Sequence, residues 1–276
     1  MGTKDFVKRS IKYIFKGIPE NKTYVNITSC TENNLYAGKN ILITGGSSGI
    51  GYAVAQKCLS GGGSVCITGR KEEKLLAAGK KLGKEKCKTA VFDIGDIENI
   101  EKNFYEILGL FHSSLDIVVS NAGIFFEKDF VKYTEEDYEN IFNVNLKGAY
   151  ILSQQVIKHF LENKKAGTLL FVTSERGIMS DTHLYGITKA GLNSLVKGLA
   201  KKYAANGIRI NAVAPGITAT DINFVDPESN LYHAPVTGKR ILRAEEIAEV
   251  AGFLISDCAR CINGEIIACN LGNHIK

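Results

Sequence analysis

Tyr185 and Lys189 stand four residues apart in Tyr185-Gly-Ile-Thr-Lys189, eleven residues after Ser174. On a helix that spacing places a phenol and an ammonium on one face. A free tyrosine ionises near pH ~10, poorly matched to proton transfer at neutrality, and a nearby cation favours the phenolate. Far upstream, Thr44-Gly-Gly-Ser-Ser-Gly-Ile-Gly51 follows an apolar run and precedes helical spacing at Ile50, Val54 and Cys58. Glycines there let the backbone turn tightly and approach a pyrophosphate, and the helix start offers unpaired N–H groups and a partial positive charge. A proton-trading phenol, a tuning cation and a seat for a phosphate-bearing cofactor together point to interconversion of a carbonyl and an alcohol. Gly-Lys-Ser/Thr is missing from the turn, which disfavours ATP chemistry.

The next apolar run ends in Cys-Ile-Thr-Gly-Arg70, with no acidic residue between Ser64 and Arg70. Sites for NAD commonly place an acid near this point to bind the ribose 2′-hydroxyl, whereas an arginine accommodates a 2′-phosphate. NADP is therefore expected rather than NAD, with Arg70 at the phosphate.

Short runs rich in Val, Ile and Phe predict strands over residues 41–44, 64–68, 89–92, 116–119, 168–173, 209–213 and 265–268. They are mostly non-alternating, as strands covered on both faces are. Helical spacing separates them, for example at Ile141, Val144, Leu152, Val156 and Phe160. Regular alternation of β and α predicts an α/β fold: a parallel sheet with right-handed crossovers and helices on both faces. The polar stretch 221–239, with Pro227, Pro235 and Gly238, interrupts the pattern and is expected to form a substrate lid. Residues 39–276 are read as one dinucleotide-binding and catalytic domain, preceded by a basic extension over 1–38.

The extension has a distinct character. Residues 1–39 hold seven of the 34 basic side chains and three of the 29 acidic ones, so most of the net charge of +5 lies there. Val7, Ile11, Ile14, Phe15 and Ile18 fall on one helical face. Such a face could dock on the body or a sister subunit, or lie on an anionic membrane surface. The near-neutral remainder offers no electrostatic footprint for nucleic acid. No apolar run approaches the roughly 18 residues of a membrane-spanning helix, and no secretory leader is visible, so a cytoplasmic location is expected. The odd count of seven cysteines fits that placement better than a disulfide framework. Cys258, Cys261, Cys269 and His274 form a loose series. Structural zinc usually takes two tight ligand clusters, so no metal is expected; the first two cysteines are read as lying near a helix end and Cys269 as packed in a final strand.

Residues 40–276 resemble the short-chain dehydrogenase/reductases. The resemblance is carried by the glycine turn, Asp93, Ser120-Asn-Ala-Gly123, Asn145 in Asn-Val-Asn-Leu-Lys-Gly, Ser174, Tyr185-Gly-Ile-Thr-Lys189 and Pro215-Gly-Ile-Thr-Ala-Thr220, in that order. It implies a Rossmann-type, doubly wound sheet of seven parallel strands, assembled as a homotetramer or dimer. It implies a catalytic set of Asn145, Ser174, Tyr185 and Lys189, with Tyr185 as acid/base, Lys189 tuning it and binding the nicotinamide ribose, and Asn145 holding a relay water. Cofactor contacts are implied at Gly45, Ser47, Ser48, Gly49, Ile50 and Gly51 in the turn, at Asp93 and Ile94 for adenine, and along Asn121, Ala122 and Gly123. Pro215, Gly216, Thr218 and Thr220 would hold the nicotinamide end. The chain departs from the family pattern at Ser120, in the short interval from Ser174 to Tyr185, and at Asn270-Leu-Gly272.

The expected function is thus an NADP-dependent oxidoreductase acting on a small carbonyl or alcohol compound. The competing reading is a nucleotide-binding, non-catalytic sensor or scaffold with the same fold. The intact catalytic set argues against it, since a pure binder has no use for Tyr185. Ile178, Met179 and His183 are expected nearest the reacting carbon, with Glu175 and Arg176 behind them.

Overall fold

The apolar runs form seven parallel strands because each has a hydrophobic layer to meet on both sides. A computed structural model describes residues 34–83 and 86–275. In chain order the main strands are β1 (Asn40–Ile43), β2 (Ser64–Gly69), β3 (Cys87–Val91), β4 (Ile117–Ser120), β5 (Gly167–Val172), β6 (Ile208–Pro215) and β9 (Ile266–Cys269). They pair in the order β3-β2-β1-β4-β5-β6-β9, all parallel. The order reverses direction between β1 and β4, which opens a crevice at their C-terminal ends. A separate two-stranded parallel ribbon joins β7 (Thr218–Ala219) to β8 (Leu242–Arg243).

Helices α1 (Gly49–Ser60), α2 (Glu72–Leu82) and α7 (Ala244–Ile255) share one core with the sheet, and α3 (Ile100–Leu110), α5 (Gly148–Glu162) and α6 (Leu184–Tyr203) share the other. Alternate strand residues serve alternate cores. Ile41 and Ile43 face the first and Leu42 the second; Leu170 and Val172 face the first and Leu169 and Phe171 the second. This period of two explains why the strands are apolar throughout. All seven of these side chains are fully or almost fully buried, a gain of roughly 1.5–3 kcal/mol each relative to exposure.

Tyr36 belongs to the first core although it falls within the expected extension. It fills a slot made by two glycines: a Cβ at Gly61 would lie 2.5 Å from its ring, and one at Gly252 2.8 Å from its hydroxyl. Its N–H donates to the Gly61 carbonyl at 2.9 Å. The amphipathic face expected over residues 7–18 lies outside the described residues. No helix among the described residues is long and apolar enough to cross a membrane.

The helical spacing from Ile141 to Phe160 is not one helix. It comprises α4 (Glu135–Phe142), a π-helical turn (Asn143–Lys147) and α5. A Thr134–Asp137 capping box starts α4. The wide turn abuts the loop after β3 through two close approaches. A Cβ at Gly148 would lie 2.1 Å from the Ile94 carbonyl oxygen, and one at Gly95 would lie 2.9 Å from Val144. The polar stretch 221–239 begins with a short 3-10 turn at Asp221–Asn223 and returns through a bridge between Tyr232 and Arg240. Leu231 and Ile241 bury themselves against Ala219, so the stretch carries a small core of its own.

Candidate active site

A groove of about 930 Å³ runs across the C-terminal strand ends at the β1/β4 crevice. The glycine turn forms its floor. Gly45 and Gly49 have φ of +65° and +56°, conformations that side-chain-bearing residues seldom adopt. Ser48 caps α1 in an extended conformation with its hydroxyl unspent, and no acid sits in the first helical turn. The helix start therefore offers free N–H groups to an anion. Thr44 and Asn121 fix the turn against β4. The Thr44 hydroxyl oxygen accepts from the N–H groups of Asn121 and Ala122, both at 3.0 Å. The Asn121 amide donates to the carbonyls of Thr44 and Gly45 at 2.9 and 3.0 Å.

At one end the groove is basic. Arg70 follows β2, and Lys71 and Lys74 join it along the wall, all exposed. Lys74 reaches Asp221 at 3.6 Å across the groove mouth. The two lysines carry a signal in the sequence, the run Arg70-Lys71-Glu-Glu-Lys74, that a search for one phosphate-binding arginine overlooks. Asp93 accepts from the Gly95 N–H at 2.9 Å, closing the loop that supplies Ile94 to the wall.

At the other end stand Ser174, Tyr185 and Lys189. Ser174 lies two residues past the end of β5 and caps a short turn, its hydroxyl accepting from the Arg176 N–H at 3.2 Å. Tyr185 lies in the first turn of α6, hydrogen-bonded to Ser174. Burial pushes its phenol up to about 12, against the opposing pull of the Ser174 hydrogen bond and the Arg176 charge. Lys189 follows one turn on. Burial pushes its ammonium down to about 8, while Nζ donates to the Val172 carbonyl at 3.0 Å and sits 5.4 Å from the centre of the Tyr185 ring. Phe125 packs edge-on against Tyr185 with ring centres 5.1 Å apart.

The expected site residues converge with two exceptions. The groove is walled by Gly45, Ser47, Ser48, Gly49 and Ile50 of the turn, by Arg70, Asp93 and Ile94, and by Asn121, Ala122 and Gly123. Ser174, Tyr185 and Lys189 join them, with Pro215, Gly216, Thr218 and Thr220 after β6. Gly51 and Asn145 lie behind that wall. Gly51 is pressed so close to Asn121 that a Cβ would sit 2.5 Å from its amide nitrogen. Asn145 is buried in the π turn, where it accepts from the Ile124 N–H at 2.8 Å and donates to the Ile124 carbonyl at 2.9 Å. Its side chain is thus engaged in holding the strand-end segment that carries Gly123 and Phe125.

Around Tyr185 the expectation holds for Met179 and fails for the four other residues. Glu175, Arg176 and Met179 line the groove, while Ile178 and His183 do not. The short interval to Tyr185 turns residues 178 and 183 outward: Ile178 is 40% exposed, and His183 points to Asp181 and Glu127. Glu175 is buried and accepts from the amides of Asn270 at 2.9 Å and Asn273 at 3.1 Å, which ties residues 270–273 beneath the site. Asn270 belongs to the departure from the family pattern at Asn270-Leu-Gly272, and Asn273 follows it directly. Phe125 and Glu127 carry no recognisable motif, and only the fold brings them to the site. Cys258 and Cys261 are exposed in the turn after α7, and Cys269 lies half-buried in β9.

The groove fits a dinucleotide in shape and in donor set. Its glycine floor permits close backbone approach, its helix start suits a pyrophosphate, and a proton-bearing phenol faces its far end. Comparison with known proteins agrees. A family model described as Enoyl-(Acyl carrier protein) reductase matches residues 45–274. The chain is 34% identical over 242 residues to the 3-oxoacyl-[acyl-carrier-protein] reductase FabG of Aquifex aeolicus, covering 85% of this chain and 97% of that protein. It resembles the 3-ketoacyl-(acyl-carrier-protein) reductase of Brucella melitensis complexed with NADH, with a TM-score of 0.80, 27% identity, and coverage of 87% and 99% of the two chains. A short chain dehydrogenase from Burkholderia cenocepacia J2315 in complex with NADP gives a TM-score of 0.78 at 27% identity, with the same coverage. The chain belongs to the short-chain dehydrogenase/reductase family and is an NAD(P)-dependent oxidoreductase of carbonyl and alcohol groups.

Proposed function

We propose that the protein is an NADP-dependent reductase of a small carbonyl compound, with Tyr185 as the proton donor. The observation that carries this reading is the meeting of Ser174, Tyr185 and Lys189 at one end of a groove whose other end is basic. The nicotinamide cofactor supplies the hydride when bound. Ser47, Ser48, Gly49 and the start of α1 would hold its pyrophosphate. Arg70, Lys71 and Lys74 would take a 2′-phosphate, and with no carboxylate in β2 they favour NADP over NAD.

In reduction the Ser174 hydroxyl and the Tyr185 phenol hydrogen-bond the substrate oxygen, and Tyr185 gives up its proton as negative charge develops there. Burial, rather than the cation expected to favour the phenolate, dominates the phenol. Tyr185 therefore keeps its proton at neutral pH and releases it only as negative charge develops on the substrate oxygen. Lys189 stabilises the phenolate left behind, and its own depressed pKa lets it pass a proton on to Tyr185. Asn145 acts by holding Ile124 and so the wall that carries Phe125 against the tyrosine ring. In oxidation the same groups run in reverse.

Removing only the phenolic oxygen tests this, since Tyr185→Phe keeps the ring that packs on Phe125. Reduction of carbonyl compounds, followed by loss of reduced-nicotinamide absorbance, should fall by ~10²–10⁴ with the fold intact. Equal turnover by wild type and variant would end the reading. NADPH should be used in preference to NADH, and Arg70→Ala should erase that preference. Small-molecule turnover in a cytoplasmic homotetramer or dimer completes the proposal. Exposed Tyr138, Tyr150 and Ile187 on α4, α5 and α6 support self-association, which light scattering tests.

A further inference from the structure

Five cations line the groove: Arg70, Lys71 and Lys74 at the basic end, Lys189 beneath Tyr185, and Arg176. Of the two at the reacting end, Lys189 is assigned above to the tyrosine and the cofactor ribose, whereas Arg176 has no such assignment and keeps donor capacity to spare. Its Nε donates to Asp181 Oδ2 at 2.6 Å, and one Nη2 proton goes to Asp181 Oδ1 at 3.2 Å. Its Cζ lies 5.7 Å from the centre of the Phe125 ring, and that ring packs on Tyr185. Nη1 makes no hydrogen bond to any described residue. The backbone N–H of Arg176 is bonded to the Ser174 hydroxyl, which sets its main chain beside one of the groups that would hold the substrate oxygen, and Asp181 holds the guanidinium.

The partner that holds Arg176 is itself buried and spent. Asp181 is wedged against α6 at Gly186, where a Cβ would lie 2.0 Å from Oδ2, and its side chain is only 9% exposed. Its Oδ1 also accepts from the His183 N–H at 2.9 Å and meets His183 Nδ1 at 2.7 Å. His183 Nδ1 also lies 2.5 Å from Arg176 Nη2; one ring nitrogen cannot serve a donor and an acceptor at once, and the carboxylate contact has the better chemistry. Of the other acids lining this end, Glu127 is engaged by His183 Nε2 at 2.9 Å, and Glu175 accepts from the amides of Asn270 and Asn273. A carboxylate saturated in this way orients an arginine without being able to bind substrate.

An arginine is donor-only, and with Nε and Nη2 held by Asp181 the remaining Nη1 offers a charge-assisted donor that favours a carboxylate over a neutral acceptor. We infer that Arg176 is a specificity-determining residue that selects carbonyl substrates bearing a carboxylate a few bonds from the reacting carbon. The inference rests on the reductase reading above and adds the substrate class. Phe125, Met179 and Ile217 would cover the short carbon chain between the two groups.

The test uses 2-, 3- and 4-oxo acids of short chain, each beside its methyl ester, with NADPH and NADH as reductants. Wild type should favour the acid over the ester in kcat/KM by roughly 10–100-fold at one chain length at least, the usual worth of a hydrogen bond to a charged group. R176Q should collapse that ratio towards one. R176K keeps the charge without the two-point hold on Asp181 that aims it and should retain part of it, with the loss mostly in KM. Titration calorimetry should show the preferred oxo acid binding wild type and not R176Q, a readout independent of turnover. Equal or greater use of esters at every length overturns the inference, as does an R176Q ratio equal to wild type. Esters reduced by wild type and not by Tyr185→Phe would leave the reductase reading standing in that event. Failure of wild type to reduce any acid or ester would overturn both.

Discussion

Gly148→Ala is expected to damage the protein through one atom. The new Cβ would lie 2.1 Å from the Ile94 carbonyl oxygen and 3.0 Å from that of Asn143, against the ~3.4 Å of ordinary contact. Both neighbours are backbone, so neither can swing aside. α5 must retreat from the loop after β3 by about an ångström. Overpacking of this kind costs ~1–3 kcal/mol, and a rigid backbone clash belongs at the upper end. For a chain of this size ~3 kcal/mol lowers the melting temperature by roughly 6–12 °C. The same retreat would pull Asn145, three residues earlier, from its two bonds to Ile124, so kcat per folded molecule should fall as well. Gly198→Ala is the matched control. Gly198 lies exposed in α6 with nothing within 4 Å of its added Cβ, so helix propensity should raise stability by ~0.5–1 kcal/mol. Thermal melts by circular dichroism and turnover at saturating substrate measure both variants. A Gly148→Ala melting point within 2 °C of wild type would refute the reasoning that the π turn is pressed against the groove wall.

Lys189→Met should be more stable than wild type near neutral pH. Burial depresses Lys189 from its ordinary 10.5 to about 8, so the unfolded chain binds more protons between those values and wild-type stability rises with pH across that window. The variant's advantage should therefore be full below pH ~8 and gone by pH ~10.5 in melts across a pH series; a constant gap would contradict it. Arg209 donates to the carbonyls of Leu254, Ile255, Ser256 and Ala259 at the end of α7, and Arg209→Met should cost ~3 kcal/mol by denaturant titration. Gly186→Ala should expel Asp181 from its niche and release Arg176, raising KM for the preferred oxo acid more than for its ester. An unchanged acid-to-ester ratio would show that the niche does not orient the guanidinium.

The strands were readable because both faces are buried: Ile41, Leu42 and Ile43 declare themselves without any periodicity analysis. Their ends were less so. The strand expected over residues 89–92 runs from Cys87 to Val91, since Cys87 and Lys88 pair by register with Val65 and Cys66 and not by any propensity of their own. The π turn left no mark either. Its spacing differs from an α-helix by one residue, and apolar side chains at Val144 and Leu152 satisfy both. The catalytic pieces were legible as motifs, yet the direction in which Ile178 and His183 face depends on how an eleven-residue interval closes. Arg176 was expected behind the reacting carbon, and no sequence signal shows that it lines the groove itself. Only the fold, by pressing Asp181 on Gly186 and Phe125 on Tyr185, turns it toward the site.

The slot that receives Tyr36 has a consequence for how the molecule can be mounted. Gly61 precedes β2 and Tyr36 precedes β1, so the slot lies at the entry end of parallel strands whose exit end bears the groove. The first described residues, 34–36, therefore sit at the end of the sheet opposite the catalytic mouth. A tether, a fusion partner or a solid support joined through that side would leave the mouth facing open solution, free to exchange its reactants.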